Sequence, residues 1–420
     1  MNPKKLVILG QGYVGLPLAM RAVEVGYEVV GFDVDKGRVD RLRQGDSFVE
    51  DVDPAALQAA LASGRYLPTQ DIGDCEGFGI AVISVPTPLR DGLPDLSYIE
   101  QASETLAPFV QPDSCVVLES TTYPGTTTEV VAPILEVGSS LVAGADFRLG
   151  YSPERIDPDN DTWSFQNTPK LVSGVDQASL VAVRSFYDNL VDQTIEMGTT
   201  ADAELAKLIE NTFRHVNIAL VNELAMIAAE LDVDIWEAIR GASTKPFGFM
   251  PFYPGPGVGG HCIPVDPSFL SWRARRRLGY AFRFVETAND INDHMPHYVV
   301  RRLLLGFNRR SLSLSGSTVL VLGLAYKRDI SDARQSPAVP VVEQLLELGA
   351  KVRLADPHVG AVSLDDRVTR VDATVEEARA ADGVLLLTDH RAFDLPALAK
   401  ASRYFLDTRH SAEGESVEYL

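Results

Sequence analysis

The chain is poor in cysteine. Three in 420 residues, Cys75, Cys115 and Cys262, are odd in number and widely spaced, so neither a disulfide framework nor a CxxC zinc site fits. That usage favours a reducing, cytoplasmic setting. Long apolar runs are also missing, and none reaches the roughly 18 residues that a membrane-spanning helix needs. Lys4 and Lys5 ahead of Leu6-Val7-Ile8-Leu9 imitate a signal peptide. The apolar run stops at Gly10-Gln11-Gly12, however, and no small-residue cleavage site follows, so no leader is expected. Basic residues are in deficit, 38 Lys and Arg against 58 Asp and Glu, for a net charge of −20. A chain this acidic repels a phosphate backbone or an anionic bilayer, which argues against a general nucleic-acid or membrane-surface binder. It leaves room for a local basic pocket. What is plentiful is apolar residue, 45%, with 23% charged. That is too apolar for disorder and enough to build cores without disulfides, and at about 150 residues per domain the length suggests two or three domains.

Short β-branched runs alternate with helical stretches in the first third: Leu6–Leu9, Glu28–Phe32, Ile80–Ser84, Val116–Leu118 and Lys170–Ser173 read as strands, and Leu16–Val25 as a helix. Such alternation implies a parallel sheet covered on both faces. From Ala201 to Leu231 one helical pattern runs without Pro or Gly, roughly 45 Å at 1.5 Å per residue. Between Glu210 and Glu223 its charges thin out, so much of this helix is expected to be buried. Lys245–Pro267, rich in Gly and Pro, reads as a structured loop, and helical patterns resume from Phe269 to about Asn308. After a polar stretch at 309–317 the alternation returns, with strands at Thr318–Gly323, Lys351–Asp356 and Val384–Leu387 and a helix at Val339–Leu348. Gly10 with Asp33 is echoed by Gly323 with Asp356. The expected fold is α/β: two Rossmann-like, doubly wound parallel-sheet domains at 1–198 and 311–420, joined by a long central helix and a helical middle domain at 199–310.

Gly10-Gln11-Gly12-Tyr13-Val14-Gly15 follows a strand and opens a helix. Gly10 permits the tight turn, Gly12 the approach of a pyrophosphate, and Gly15 close helix–strand packing. The helix N-terminus offers free N–H groups to phosphates. Asp33, about twenty residues on, can accept from both ribose hydroxyls and would repel a 2′-phosphate, which favours NAD over NADP. A glycine turn without a ligand is the plainer alternative. In Gly257–Asp266, Cys262 lies beside glycines that bring N–H groups close, as suits a nucleophilic thiolate; a buried structural thiol is an equal alternative. Adjacent residues in an extended loop point apart, so for His261 a structural or substrate-contacting role is expected over a pairing with Cys262. Lys207, Asn211 and Arg214 share a helix face by spacing. A lysine buried there could act as a base or stabilise an oxyanion, although a solvated position is the default for Lys207 alone. Glu154 follows a strand and could activate water or sit on the surface. The hydroxyls of 119–125 fall where such sheets bind ligands. Lys327, Arg328 and Arg334 make a basic cluster that could hold phosphate or be a surface patch.

Taken together these motifs resemble the UDP-glucose/GDP-mannose dehydrogenase family over nearly the whole chain. They run in order: GYVGLPLA at 12–19, ISVPTP at 83–88, ESTTYPGTT at 119–127, SPERIDPDN at 152–160, KLIENTFRHVNIALVNELA at 207–225, PGPGVGGHCIPVDP at 254–267 and GLAYKRDISDARQSP at 323–337. Within that family the helix and the GGHC loop are most similar to the bacterial UDP-N-acetylglucosamine 6-dehydrogenases. The resemblance implies oxidation of a UDP-sugar C6 alcohol to the uronate in two NAD-dependent steps, with a thiohemiacetal and then a thioester on Cys262. It implies Lys207 stabilising the oxyanion with Asn211 positioning it, and Asp266 or Lys207 accepting the alcohol proton. Glu154 would assist hydrolysis with a water held by Thr121. For the cofactor it implies Gly10, Gly12, Tyr13, Val14, Gly15, Asp33, Pro86, Thr87, Thr121 and, more loosely, Arg334. For the UDP-sugar it implies Glu154, Arg155, Lys207, Asn211, Arg214, Phe249, Gly257, Lys327 and Arg409. No metal is implied. A homodimer or higher oligomer through the long helix is expected, as is supply of precursors for capsule, O-antigen or glycoconjugate. UDP-N-acetylmannosamine, UDP-N-acetylgalactosamine and UDP-glucose remain alternative substrates, and an inactive nucleotide-sugar binder is an alternative of another class. Glu119 stands where some relatives carry a basic residue, and no role follows for it.

Overall fold

The computed structural model describes residues 2–49, 51–90, 92–156, 160, 162–260, 262–360 and 364–420. The chain divides into two compact units, Met1–Glu210 with Ser268–Tyr280, and Asn211–Pro267 with Ala281–Leu420.

The first unit is built on an eight-stranded sheet. Its strands are β1 (Asn2–Leu9), β2 (Glu28–Phe32), β3 (Tyr66–Thr69), β4 (Phe78–Ile83), β5 (Cys115–Leu118), β6 (Arg148–Tyr151), β7 (Lys170–Gly174) and β8 (Thr194–Glu196). They lie in the order β8-β7-β6-β5-β4-β1-β2-β3. Leu6 to Leu9 are buried on both faces, as parallel strands under helices require. Helix α1 (Gly15–Glu24) opens straight out of the glycine turn after β1. The expected all-parallel sheet fails at one junction: β7 runs antiparallel to β6, pairing Gly150 with Gly174 and Tyr151 with Ser173. The cause lies in the connections. Parallel neighbours need a crossover, usually a helix, and the described residues between β6 and β7 contain none. Helix α2 (Gln177–Tyr187) does separate β7 from β8, and those two are parallel.

Helix α3 (Thr200–Glu230) is continuous over 31 residues, close to the span read from the sequence. The division between units falls within it, after Glu210. Its expected burial holds for one side only. Ala203, Leu208, Ala219, Ala225 and Ala228 are buried, whereas Ile209, Phe213, Leu220, Leu224 and Ile227 are exposed. Helices α4 (Asp266–Leu278) and α5 (Arg283–Arg309) follow the glycine-rich loop.

The second unit carries a six-stranded sheet of β9 (Thr318–Leu322), β10 (Lys351–Ala355), β11 (Thr369–Arg370), β12 (Gly383–Leu386), β13 (Phe405–Asp407) and β14 (Val417–Tyr419). Its order is β11-β10-β9-β12-β13-β14, parallel throughout. Met295, Val299, Leu303 and Phe307 of α5 join Val341 and Leu345 of α6 (Ala338–Glu347) in one core against it. No helix among the described residues is long and apolar enough to cross a membrane.

Candidate functional site

Gly10 sits at φ +94°, and a Cβ there would lie 2.6 Å from the Ser84 carbonyl oxygen; one on Gly15 would lie 1.9 Å from the Gly10 oxygen. Both positions therefore exclude a side chain. A Cβ on Gly12 would meet nothing within 4 Å, so the backbone is open there. Val14 caps α1, and the carbonyl of Gly12 accepts from Leu16. Tyr13 is half-buried beside them. Asp33, at the end of β2, is 5% exposed and reaches back to the turn, where its Oδ2 accepts the Gln11 N–H at 2.8 Å. Its Oδ1 takes the Asp35 N–H. These features fit a dinucleotide: bare peptide, a helix N-terminus and an acid with lone pairs to spare. Gln11 is a part the sequence reading passed over. Its buried side chain accepts from Tyr66 Oη at 2.7 Å and donates to Ile8, fixing the turn from beneath.

Parallel strands bring their C-terminal ends to one edge. Pro86 and Thr87 follow β4, Thr121 follows β5 and Glu154 follows β6, beside the glycine turn after β1. Thr87 is buried, Thr121 half-buried and Pro86 exposed. Ser120 ties two of these ends together by donating to the Val85 carbonyl at 2.8 Å. Glu204 of α3 holds the 122–127 turn, its carboxyl accepting from Gly125 N–H at 2.5 Å, Thr127 N–H at 2.9 Å and Thr127 Oγ1 at 2.7 Å. Burial pushes that carboxyl up to about 7 despite these donors. Lys207, one turn along α3, is buried, not solvated. Arg155 directs its guanidinium to Glu210 at 2.7 Å and to the Pro169 carbonyl at 2.7 Å.

Glu154 is buried, and its Oε1 accepts the N–H groups of Arg155 and Ile156 at 2.6 and 2.7 Å. Its Oε2 accepts from Lys170 Nζ at 2.7 Å. Burial acts to raise the carboxyl, but Lys170 and those N–H groups outweigh it and hold Glu154 below the ordinary carboxylate range. Lys170 also bonds Glu119. The sequence reading left Glu119 without a role and did not single out Lys170. Their meeting depends on the reversed direction of β7, which no local pattern encodes.

In the second unit Cys262 is exposed, unlike Cys75 and Cys115. Its carbonyl accepts the Asp266 N–H at 2.8 Å, so Cys262 leads into the first turn of α4, an end that favours negative charge. Asp266 is buried and accepts from Asn211 Nδ2 at 2.5 Å, which brings together two of the residues expected to act in chemistry. Asn222 anchors the glycine loop: its Oδ1 accepts the Gly255 N–H at 3.0 Å and its amide donates to Asn292. A Cβ on Gly257 would fall 3.1 Å from the Asn292 oxygen. Phe249 and Arg214 are exposed. His261 lies outside the described residues, as do residues 157–159.

After β9, Gly323 repeats the Gly10 geometry at φ +91°. Asp356 accepts the Leu324 and Ala325 N–H groups at 2.6 and 2.9 Å, the counterpart of Asp33 and Gln11. Lys327 is half-buried. Arg334 is exposed and forks onto Asp332. Arg409 donates to the Leu387 carbonyl at 2.7 Å.

The chain matches three successive models of one family: the UDP-glucose/GDP-mannose dehydrogenase NAD binding domain over residues 4–191, the central domain over 201–294 and the UDP binding domain over 320–413. It is 36% identical to the UDP-N-acetyl-D-glucosamine 6-dehydrogenase of Pseudomonas aeruginosa, over 98% of this chain and 97% of that one. The solved UDP-D-ManNAc dehydrogenase from Pyrococcus horikoshii aligns with a TM-score of 0.88 at 32% identity, covering 99% of this chain and 98% of that one. A UDP-glucose dehydrogenase structure from Pyrobaculum islandicum aligns with the same TM-score at 28% identity, over 99% and 96%.

Proposed function

The chain belongs to the UDP-glucose/GDP-mannose dehydrogenase family, and from that premise we propose that it oxidises the C6 alcohol of UDP-N-acetylglucosamine to the carboxylate. Its cofactor is NAD, which accepts hydride when bound. The observation that carries the reading is the exposed Cys262 in the turn that leads into α4, four residues ahead of a buried Asp266 that is bonded to Asn211.

In this reading Asp266 or Lys207 takes the proton of the C6 hydroxyl as the substrate loses hydride. Cys262 Sγ then bonds to the aldehyde carbon, and the thiohemiacetal loses a second hydride and a proton to become a thioester. Lys207, positioned by Asn211, stabilises the oxyanion at each tetrahedral stage. Glu154 assists a water held by Thr121. Water breaks the C–S bond, the carboxylate leaves and the thiol is restored. Gly10, Gly12, Tyr13, Val14, Gly15, Asp33, Pro86, Thr87 and Thr121, with Arg334, hold the cofactor. Arg155, Arg214, Phe249, Gly257, Lys327 and Arg409 hold the UDP-sugar. The apolar stripe of α3 supports pairing with a second copy, and residues 199–310 form the dimerising middle domain.

The test is total NADH from a limiting amount of UDP-N-acetylglucosamine with excess NAD, followed at 340 nm. Two NADH per sugar is the expected result. UDP-N-acetylmannosamine, UDP-N-acetylgalactosamine and UDP-glucose are run beside it, because relatives named for different sugars are similarly close. Two NADH from one of those alone would reassign the substrate, and none from all four would overturn the enzyme reading.

A further inference from the structure

Three buried charges share one space behind Glu154. Lys170 is 3% exposed, Glu119 1% and Glu154 9%. The register of β6 and β7 explains the meeting. It pairs 150 with 174 and 151 with 173, and continued three residues further it sets Glu154 opposite Lys170. Glu119, just past the end of β5, closes the group from the neighbouring strand. The ammonium also lies over the rings of Phe165 and Tyr187, at 5.3 and 5.2 Å from their centroids.

The two carboxyls are treated unequally. An ionised carboxylate offers about four acceptor positions. Glu154 fills three of them with Arg155 N–H, Ile156 N–H and Lys170, which leaves one position on Oε2. Glu119 meets Lys170 and, at 3.4 Å, Tyr187 Oη through the same Oε1. Its Oε2 is buried with no hydrogen-bond partner among the described residues. With two carboxyls for one ammonium, the site holds one negative charge in excess. That charge is best placed on Glu154, where N–H donors meet it, and any proton on Glu119, whose bare oxygen needs one. Burial pushes Glu119 up to about 7 against the pull of Lys170, in the same sense. As a stabilising device the group is poor, because a buried ion cluster is commonly no better than apolar packing of the same volume.

We infer that Lys170 and Glu119 are positioning residues for Glu154. Lys170 pins Oε2 and keeps Glu154 ionised, with one acceptor position to orient water, and Glu119 holds Lys170 from its other side. This rests on the reading that Glu154 serves thioester hydrolysis. The titratable and charged groups around the pair are Glu119, Tyr187 with Cys115 near it, and Arg155, whose guanidinium is spent on Glu210 and Pro169.

The experiment measures single-turnover and steady-state NADH production, and intact mass after rapid quenching, for wild type, Lys170→Met, Lys170→Arg and Glu119→Gln. The wild-type burst fixes whether the dehydrogenase reading itself stands. In Lys170→Met the burst should stay within about threefold while steady-state turnover falls on the order of 100-fold, the scale of a lost acid–base contribution. The sugar adduct should accumulate on the protein, and Lys170→Arg should recover part of the rate. Removing the cation raises the Glu154 pKa, whereas Glu119 already carries its proton where Glu154 titrates, so an amide in its place leaves the charge there unchanged. The acid limb of steady-state turnover should therefore move to higher pH in Lys170→Met and stay in place in Glu119→Gln. Equal loss of burst and turnover, or unaltered turnover, in Lys170→Met overturns the inference. If that variant does not fold, Lys170→Arg decides alone: a burst lost in the same proportion as turnover, or turnover left unaltered, overturns the inference. No NADH from wild type with any of the four sugars removes the hydrolytic role of Glu154, and this inference with it.

Discussion

Asn211 Nδ2 donates to a carboxylate oxygen of Asp266 at 2.5 Å, both groups buried, across 55 residues of sequence. The bond joins α3 to the first residue of α4. A carboxylate that accepts a buried amide N–H is held in one orientation, and Asp266 begins the helix that Cys262 leads into. A long helix and a glycine-rich loop, unrelated in sequence, thus contribute to one constellation.

Replacement of Cys262 by serine should abolish net uronate formation, by at least about 100-fold, because a serine hydroxyl stays un-ionised at neutral pH and is a far poorer trap for an aldehyde than a thiolate. NAD affinity should survive, since the glycine turn and Asp33 are untouched. Turnover followed at 340 nm, beside NAD titration by calorimetry, checks both halves. Full turnover in the variant would remove Cys262 as nucleophile.

Asp33→Ala should shift cofactor preference toward NADP by roughly tenfold in kcat/KM, as expected where an acid guards the ribose 2′ position. Arg38 lies 3.7 Å from the Asp33 carboxylate, and its cation would be released to meet a 2′-phosphate. An unchanged NAD-to-NADP ratio would take Asp33 out of the ribose site.

Glu204 gives a prediction about stability. Its carboxyl sits near 7 in the folded chain, against an ordinary value of 4.5. Between those values the folded state keeps a proton that the unfolded state has lost, so stability falls as pH rises through that window. Glu204→Gln should flatten this slope, removing on the order of 2 kcal/mol of the difference between pH 4.5 and pH 7.5. Urea denaturation at both values measures it. Identical slopes in the two proteins would show that Glu204 is not the group responsible.

Leu224→Glu places a charge in the middle of the exposed apolar stripe of α3. Light scattering after size exclusion should give twice the chain mass for wild type and a smaller species for the variant. A wild-type monomer would contradict pairing through this helix.

Much of the architecture was legible because it is local. The span of α3, the glycine turn after β1 and Asp33 at the end of β2 each follow from patterns within some thirty residues. What escaped was non-local. The direction of β7 follows from the lack of a crossover helix before it, and Lys170 gained its place only through that reversal. Glu119 stands 51 residues from Lys170. Lys207 read as solvated from its own neighbourhood and is buried, while the apolar residues of α3 read as buried and lie partly in the open. Burial is decided by which surfaces the rest of the chain covers, and periodicity reports only that one face differs from another.

The first compact unit is discontinuous, Met1–Glu210 being completed by Ser268–Tyr280. The late segment is not ornamental, since Arg273 closes a two-pronged contact on Glu129 at 2.6 Å and Trp272 packs on Tyr123. On the ribosome, therefore, the N-terminal unit cannot be finished when its own sheet has emerged. It must wait until Tyr280 has cleared the exit tunnel. The intervening residues, among them Asn211 and Cys262, are synthesised before the unit that precedes them is whole. A chain released before that point would lack part of a unit whose sheet had already been made, so the first 210 residues do not by themselves make up a whole folding unit.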